Sequence, residues 1–300
     1  MRFLPLLVLA STACLYGVQA PSPGFDGARA YEDLRQIVAI GPRPAGSPGA
    51  AATREYVTRQ MKAAGIATEA QAFEAETPAG RLKMVNLRAT IPGAARQGRI
   101  IIAGHYDTKR FSEFPFVGAN DGGTSTALLV ELARVLKNRR NAVPIELLFL
   151  DGEEAVAEWS GNDHTYGSRY YVDAARTAGT LKDIRAMILV DMIGDRELVI
   201  KRETNSTPWL TDAIWAAAKR LKRPEFVDVP TTVEDDHLEF LAAGVPSVDV
   251  IDLEYPDATY RYWHTREDTL DKCSAGSLEA VGRVLIEALP AMEKAAGRGR

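Results

Sequence analysis

Four short runs of apolar residues recur along the chain, at residues 99–104, 145–150, 186–190 and 247–251, and each leads into polar side chains. Near-continuous apolar runs of this length suit strands covered on both faces, as in α/β proteins. Between them the apolar positions fall at helical spacing. Leu34, Val38 and Ile40 mark a helix over residues 28–40, Tyr56, Met61 and Ala64 another over 49–64, and Leu128, Leu132, Val135 and Leu136 one face of a third. Residues 207–221, a short stretch from Glu234 through Leu241, and 277–288 with Leu278, Val281 and Leu285 inward complete the set. Alternation at 67–74 and 84–91 predicts an antiparallel pair at one edge of the sheet, and residues 159–171 a loop leading to a short helix.

Composition narrows the class. A chain of 300 residues with 46% hydrophobic content can bury one large core, and no linker or repeat interrupts it. One domain over residues 28–300 is expected. A net charge of -4 without a basic block excludes nucleic acid and anionic membrane surfaces as partners. Residues 1–20 stand apart: Met1-Arg2 is basic, 3–15 are apolar, and Val18-Gln19-Ala20 ends in small-residue style. That is the signature of an export signal, followed by a linker at 21–27, and it places the protein in the periplasm or outside the cell. Lipidation at Cys14 is the less favoured alternative. No later apolar run is long enough to span a membrane. The other cysteine, Cys273, reads as a packed residue.

The chemistry gathers where the strands end. His105 and Asp107 follow the first run, Glu153 and Glu154 the second, Asp191 the third, and His264 comes after the last, with Asp121 at a helix start. In open α/β sheets, ligands sit beyond the carboxyl ends of the strands. Each residue alone reads as a cap, a core histidine or a surface acid. Together they form an oxygen- and nitrogen-rich set suited to zinc, because crowded carboxylates need a cation nearby. Successive residues leaving a strand point to opposite sides. One of Glu153 and Glu154 can therefore face a metal while the other faces a substrate.

His105-Tyr106-Asp107, Asp121, Asp151-Gly152-Glu153-Glu154, Asp191 and His264 resemble the M28 family of zinc peptidases over nearly the whole mature chain. The resemblance implies a single-domain α/β/α sandwich with a mixed, mainly parallel central sheet. It also implies zinc ligands at Asp121, Glu154 and His264 and a general base at Glu153. Trp159-Ser160, Asp163, Tyr166-Gly167-Ser168-Arg169, Glu234-Asp235-Asp236-His237 and Trp263-His264-Thr265 further resemble the animal-type glutaminyl cyclases. This second resemblance implies one zinc ion and a substrate pocket formed by Trp159, Trp263, Val233 and Glu234. Asp191 and Asp235 would act with Glu153, joined by a hydrogen bond. The implied substrates are peptides or proteins with N-terminal glutamine, handled by a monomer. Gly104 and Thr126 stand where the vertebrate enzymes carry a cysteine pair, and Tyr255 is the candidate for their pocket phenylalanine. Two alternatives remain. One is a two-zinc aminopeptidase, with His105 and Asp191 on the second metal; the other is a non-catalytic binding ectodomain.

Overall fold

The structure, a computed structural model, describes residues 24–296; the export signal, Cys14 and the start of the linker lie outside the described residues. In chain order the elements are α1 (Gly27–Ile40), α2 (Pro48–Ala63), β1 (Thr68–Thr77), β2 (Gly80–Ile91), β3 (Arg99–His105), α3 (Ser125–Leu136) and β4 (Ile145–Leu150). There follow α4 (Tyr166–Thr177), β5 (Ile184–Asp191), β6 (Ile200–Glu203), α5 (Pro208–Arg220), β7 (Phe226–Thr231), α6 (His237–Ala242), β8 (Ser247–Ile251) and α7 (Ala275–Ala296).

Six strands form one sheet in the order β1-β2-β4-β3-β5-β8. β1, β2 and β4 pair antiparallel, whereas β4, β3, β5 and β8 run parallel. The period of two decides which side each residue serves. Ile100, Ile102, Leu147, Phe149, Ile188 and Val190 pack with α1, α2, α3, α5 and α7, while Ile101, Ala103, Leu148, Leu150, Met187 and Leu189 pack with α4 and α6. Helices on both faces make an α/β/α sandwich. The parallel strands end nearly level, His105 beside Leu150 and Asp191 beside Ile251, which lines up their polar exits.

The structure departs from the sequence pattern in several places. Helix α4 begins at Tyr166, so the loop is shorter than expected. Strands β6 and β7 form an unexpected two-stranded parallel sheet; β6 has four residues, and β7 is largely exposed and contains Pro230, so neither carries a strand signature. Helix α7 continues past Pro290 to Ala296. Its last turns are held by buried Leu289 and Met292 and by Glu293, which accepts two 2.7 Å hydrogen bonds from Arg139. The linker ends early too: Phe25 is buried against Gly282, and Gly27 already belongs to α1. No helix among the described residues is long and apolar enough to cross a membrane.

Arg43, in the turn between α1 and α2, is fully buried. Its guanidinium donates to the carbonyls of Tyr106 (3.0 Å), Val117 (2.6 Å), Gly118 (2.9 Å) and Gly41 (3.3 Å). Burial pulls its pKa down to about 10, opposed by Asp268, Asp107 and Asp121, so it stays charged at neutral pH. It thereby ties the exit of β3 to the loop before Asp121. Removing it leaves those acceptors and acids without their cation. Arg43→Met is expected to lose about 3–5 kcal/mol of stability, seen as a lower urea midpoint at unchanged m-value; a midpoint like wild type would refute this role.

Candidate active site

Beyond β4 the chain turns at Gly152, whose φ of 71° a side chain would strain, and presents Glu153 and Glu154. Their N–H groups donate to Asp107 Oδ1 (3.2 Å) and Oδ2 (3.3 Å), so one carboxylate leaving β3 fixes both glutamates. Asp121 lies in a wide turn, Ala119–Thr124, where the backbone leaves helical geometry. The cap position of α3 falls at Thr124, so Asp121 is not a helix cap. Its side chain is free for other partners. Asp268 holds this turn by accepting the N–H groups of Asn120 (2.8 Å) and Asp121 (3.2 Å), and Tyr255 donates to it at 3.0 Å. Tyr255 is therefore a fully buried support and does not line the cavity described below.

His264 sits at φ 52°, a left-handed conformation uncommon outside glycine. Trp263 stacks on it at 4.3 Å, and Phe111 and Phe116 meet it edge-on at 6.1 and 5.9 Å. These elements converge on Asp121. Its Oδ1 lies 3.2 Å from His105 Nε2, and its Oδ2 3.2 Å from His264 Nε2. His264 Nε2 is also 3.2 Å from Glu154 Oε1, and His105 Nε2 is 3.1 Å from Asp191 Oδ1. Glu153 Oε2 stands 3.7 Å from His105 Nδ1.

Among the described residues two groups can thus hold a metal, Asp121 with Glu154 and His264, and His105 with Asp121 and Asp191; in each, the ligand atoms lie within 4.8 Å of one another. The donors suit zinc. Asp121 Oδ2 and Glu154 Oε2 are buried without a hydrogen-bond partner, as ligand oxygens awaiting a cation would be. The electrostatics agree. Burial raises Glu153 well above the ordinary carboxylate range, and the Asp235 and Glu154 charges raise it further against His105. Burial, then the Asp191 charge, does the same to Asp235. Burial alone would lower His264, but Glu154 and Asp121 raise it to about 10. A metal cation held here would supply the positive charge that these carboxylates otherwise draw onto the imidazole.

A cavity of about 440 Å³ opens over this cluster. It is lined by Asp121, Glu153, Glu154, Asp191, Val233, Glu234, Asp235, His264, Trp159 and Trp263, while His105 lies beneath its wall. A larger hollow of about 830 Å³ at the opposite end of β5, around Ile184 and Arg185, holds none of these groups. Trp159 stacks on His164 at 4.2 Å and donates from Nε1 to Glu234 (3.2 Å). Asp163 shapes the loop that carries it, accepting N–H bonds from Val156, Ala157 and Glu158 at 2.8–3.1 Å. Behind Asp235, Asp236 accepts from the Ser168 hydroxyl, and His237 Nε2 is 3.2 Å from Glu203 Oε2. The supports Asp268 and Glu203 carry no sequence signal. Their partners are distant in the chain, and a buried acid reads like a surface one.

Glu203 also accepts from the N–H groups of Asn205 (2.8 Å) and Ser206 (2.7 Å) and the Ser206 hydroxyl (2.8 Å). Burial would raise its pKa, but His237 and these donors lower it to about 2. A depressed folded pKa stabilises above the unfolded value of 4.5 and is lost as pH falls toward 2. Glu203→Gln is therefore expected to cost about 2–3 kcal/mol at pH 6, with the gap to wild type closing below pH 4. A gap independent of pH in denaturation series would contradict this.

The model of peptidase family M28 matches residues 86–289. A mouse glutaminyl-peptide cyclotransferase-like protein is 34% identical over 283 residues, covering 84% of this chain and 72% of the relative. The crystal structure of a glutaminyl cyclase from an Acidobacteriales bacterium superposes with a TM-score of 0.86 at 41% identity, over 95% of this chain and 99% of that one. A leucine aminopeptidase precursor from Bacteroides thetaiotaomicron superposes at 0.80 and 26% identity, over 90% and 98%.

Proposed function

The chain belongs to peptidase family M28 and, within it, to the glutaminyl-peptide cyclotransferases, and from this we propose that it converts N-terminal glutamine of peptides and proteins to pyroglutamate with release of ammonia. The observation that carries the reading is the cavity. Two tryptophans line it together with Glu153 and the Asp121–Glu154–His264 group, a wall suited to keeping water from an amide that must be attacked by its own chain.

Asp121, Glu154 and His264 would hold one zinc ion, which supplies Lewis acidity at the side-chain amide carbonyl when bound. Glu153 takes a proton from the substrate's α-amine as the bond from that nitrogen to the amide carbon forms. It returns the proton to the amide nitrogen as the old C–N bond breaks, so ammonia leaves and no water is consumed. Asp235, whose carboxyl is pushed well above the ordinary carboxylate range by burial and the Asp191 charge, would carry a proton, which leaves Asp191 able to accept a hydrogen bond from the amide NH2. Trp159 and Trp263 hold the glutamine curled and dry, an orientation effect with a large ceiling. The basic, apolar and small-residue pattern of residues 1–20 supports action outside the cytoplasm.

A two-zinc aminopeptidase is the second reading, and the His105–Asp121–Asp191 group is what favours it. Ammonia release from Gln-Xaa dipeptides, run beside hydrolysis of a leucine anilide, separates the two. Pyroglutamyl product without anilide cleavage is expected, and Glu153→Gln should retain metal while losing roughly 100-fold or more in kcat. Anilide cleavage without ammonia would overturn the cyclotransferase reading.

A further inference from the structure

The mouth of the cavity carries charge for which cyclisation has no use. Glu158 and Glu234 both line it, and both are exposed, whereas their chain neighbour Asp235 is buried and Trp159 half-buried. Glu234 accepts the 3.2 Å bond from Trp159 Nε1, and among the described residues neither glutamate pairs with a lysine or arginine. The cavity's only lysine or arginine among those residues is Lys109, which is already engaged. Its Nζ donates to the Ala155 carbonyl at 3.2 Å and lies 3.8 Å from Glu154 Oε2. Some exposed acids elsewhere on the surface do have such partners, as in Arg81 with Glu76, Arg202 with Asp228 and Arg220 with Glu287. Deeper in the same cavity, Asp121 Oδ2 and Glu154 Oε2 are buried and without a hydrogen-bond partner, which marks the space between as one built for a ligand.

We propose that Glu158 and Glu234 select glutaminyl substrates whose second or third residue is lysine or arginine. This rests on the cyclotransferase reading, which sends the glutamine side chain toward the buried carboxylates and leaves the following residues at the mouth. A cation there meets two carboxylates that no protein group neutralises. An acidic residue meets the same two as repulsion. An exposed charge pair favours its partner by roughly 1.5- to 5-fold, so two together separate basic from acidic substrates by about 10-fold at low salt. Salt screens such pairs, so the preference shrinks at high ionic strength.

The test compares kcat/KM for ammonia release from Gln-Lys-Ala, Gln-Ala-Ala and Gln-Glu-Ala amides, using zinc-loaded wild type and the Glu158→Gln/Glu234→Gln double variant at low and high sodium chloride. The expected order is basic, neutral, acidic, spread over about 10-fold at low salt. The difference should lie mainly in KM, collapse at high salt, and vanish in the double variant. The wild-type salt series stands alone if the variant does not fold. Equal kcat/KM on all three peptides, with real turnover, would overturn the proposal and leave the cyclotransferase reading standing. So would an order that survives in the double variant. Ammonia from none of the three would overturn that reading and this proposal with it.

Discussion

Asp121 is shared between two imidazoles, one oxygen 3.2 Å from His105 Nε2 and the other 3.2 Å from His264 Nε2. Around it Glu153, Glu154, Asp191 and Asp235 are each less than 10% exposed. Carboxylates this crowded and this dry repel one another, so the loops that carry them close only around positive charge. A divalent cation held by Asp121, Glu154 and a neutral His264 would supply it. The level ends of β3, β4, β5 and β8 bring the groups together, which is why a site of this chemistry sits at one edge of one sheet.

Holding such groups still falls mostly to other acids. Asp107 fixes the Glu153–Glu154 turn, Asp163 the Trp159 loop and Asp268 the Asp121 turn, each by accepting backbone N–H groups. Arg43 works in the opposite sense, a buried cation that collects carbonyls from three segments. The loops over the sheet are thereby set in advance, and the cavity keeps its shape without a disulfide among the described residues. Membership of the glutaminyl-peptide cyclotransferases gives this rigidity a use. A substrate that supplies its own nucleophile needs a fixed, water-poor space more than it needs added reactive groups.

The central strands and the site carboxylates were legible in the sequence for a common reason. An apolar run that ends in acids is a local signal, and parallel strands put their ends at the same edge. Trp159 and Trp263 gained meaning only beside Asp235 and His264, through resemblance and not through periodicity. What stayed hidden depends on distance in the chain. Asp268 supports Asp121 from 147 residues away, and nothing near either position announces it. Asp121 does not take the capping role that a helix start suggests for a lone acid: Gly122, at φ 75°, bends the turn, and the cap position of α3 falls at Thr124. Strand β7 escaped because an exposed segment containing a proline has no buried face to leave a pattern.

The most direct measurement is anomalous diffraction at the zinc edge from crystals grown with zinc. One peak among Asp121, Glu154 and His264 is expected, with His105 and Asp191 in contact with each other and with no metal. A second peak of comparable height among His105, Asp121 and Asp191 would contradict the single-metal site and restore the two-zinc aminopeptidase.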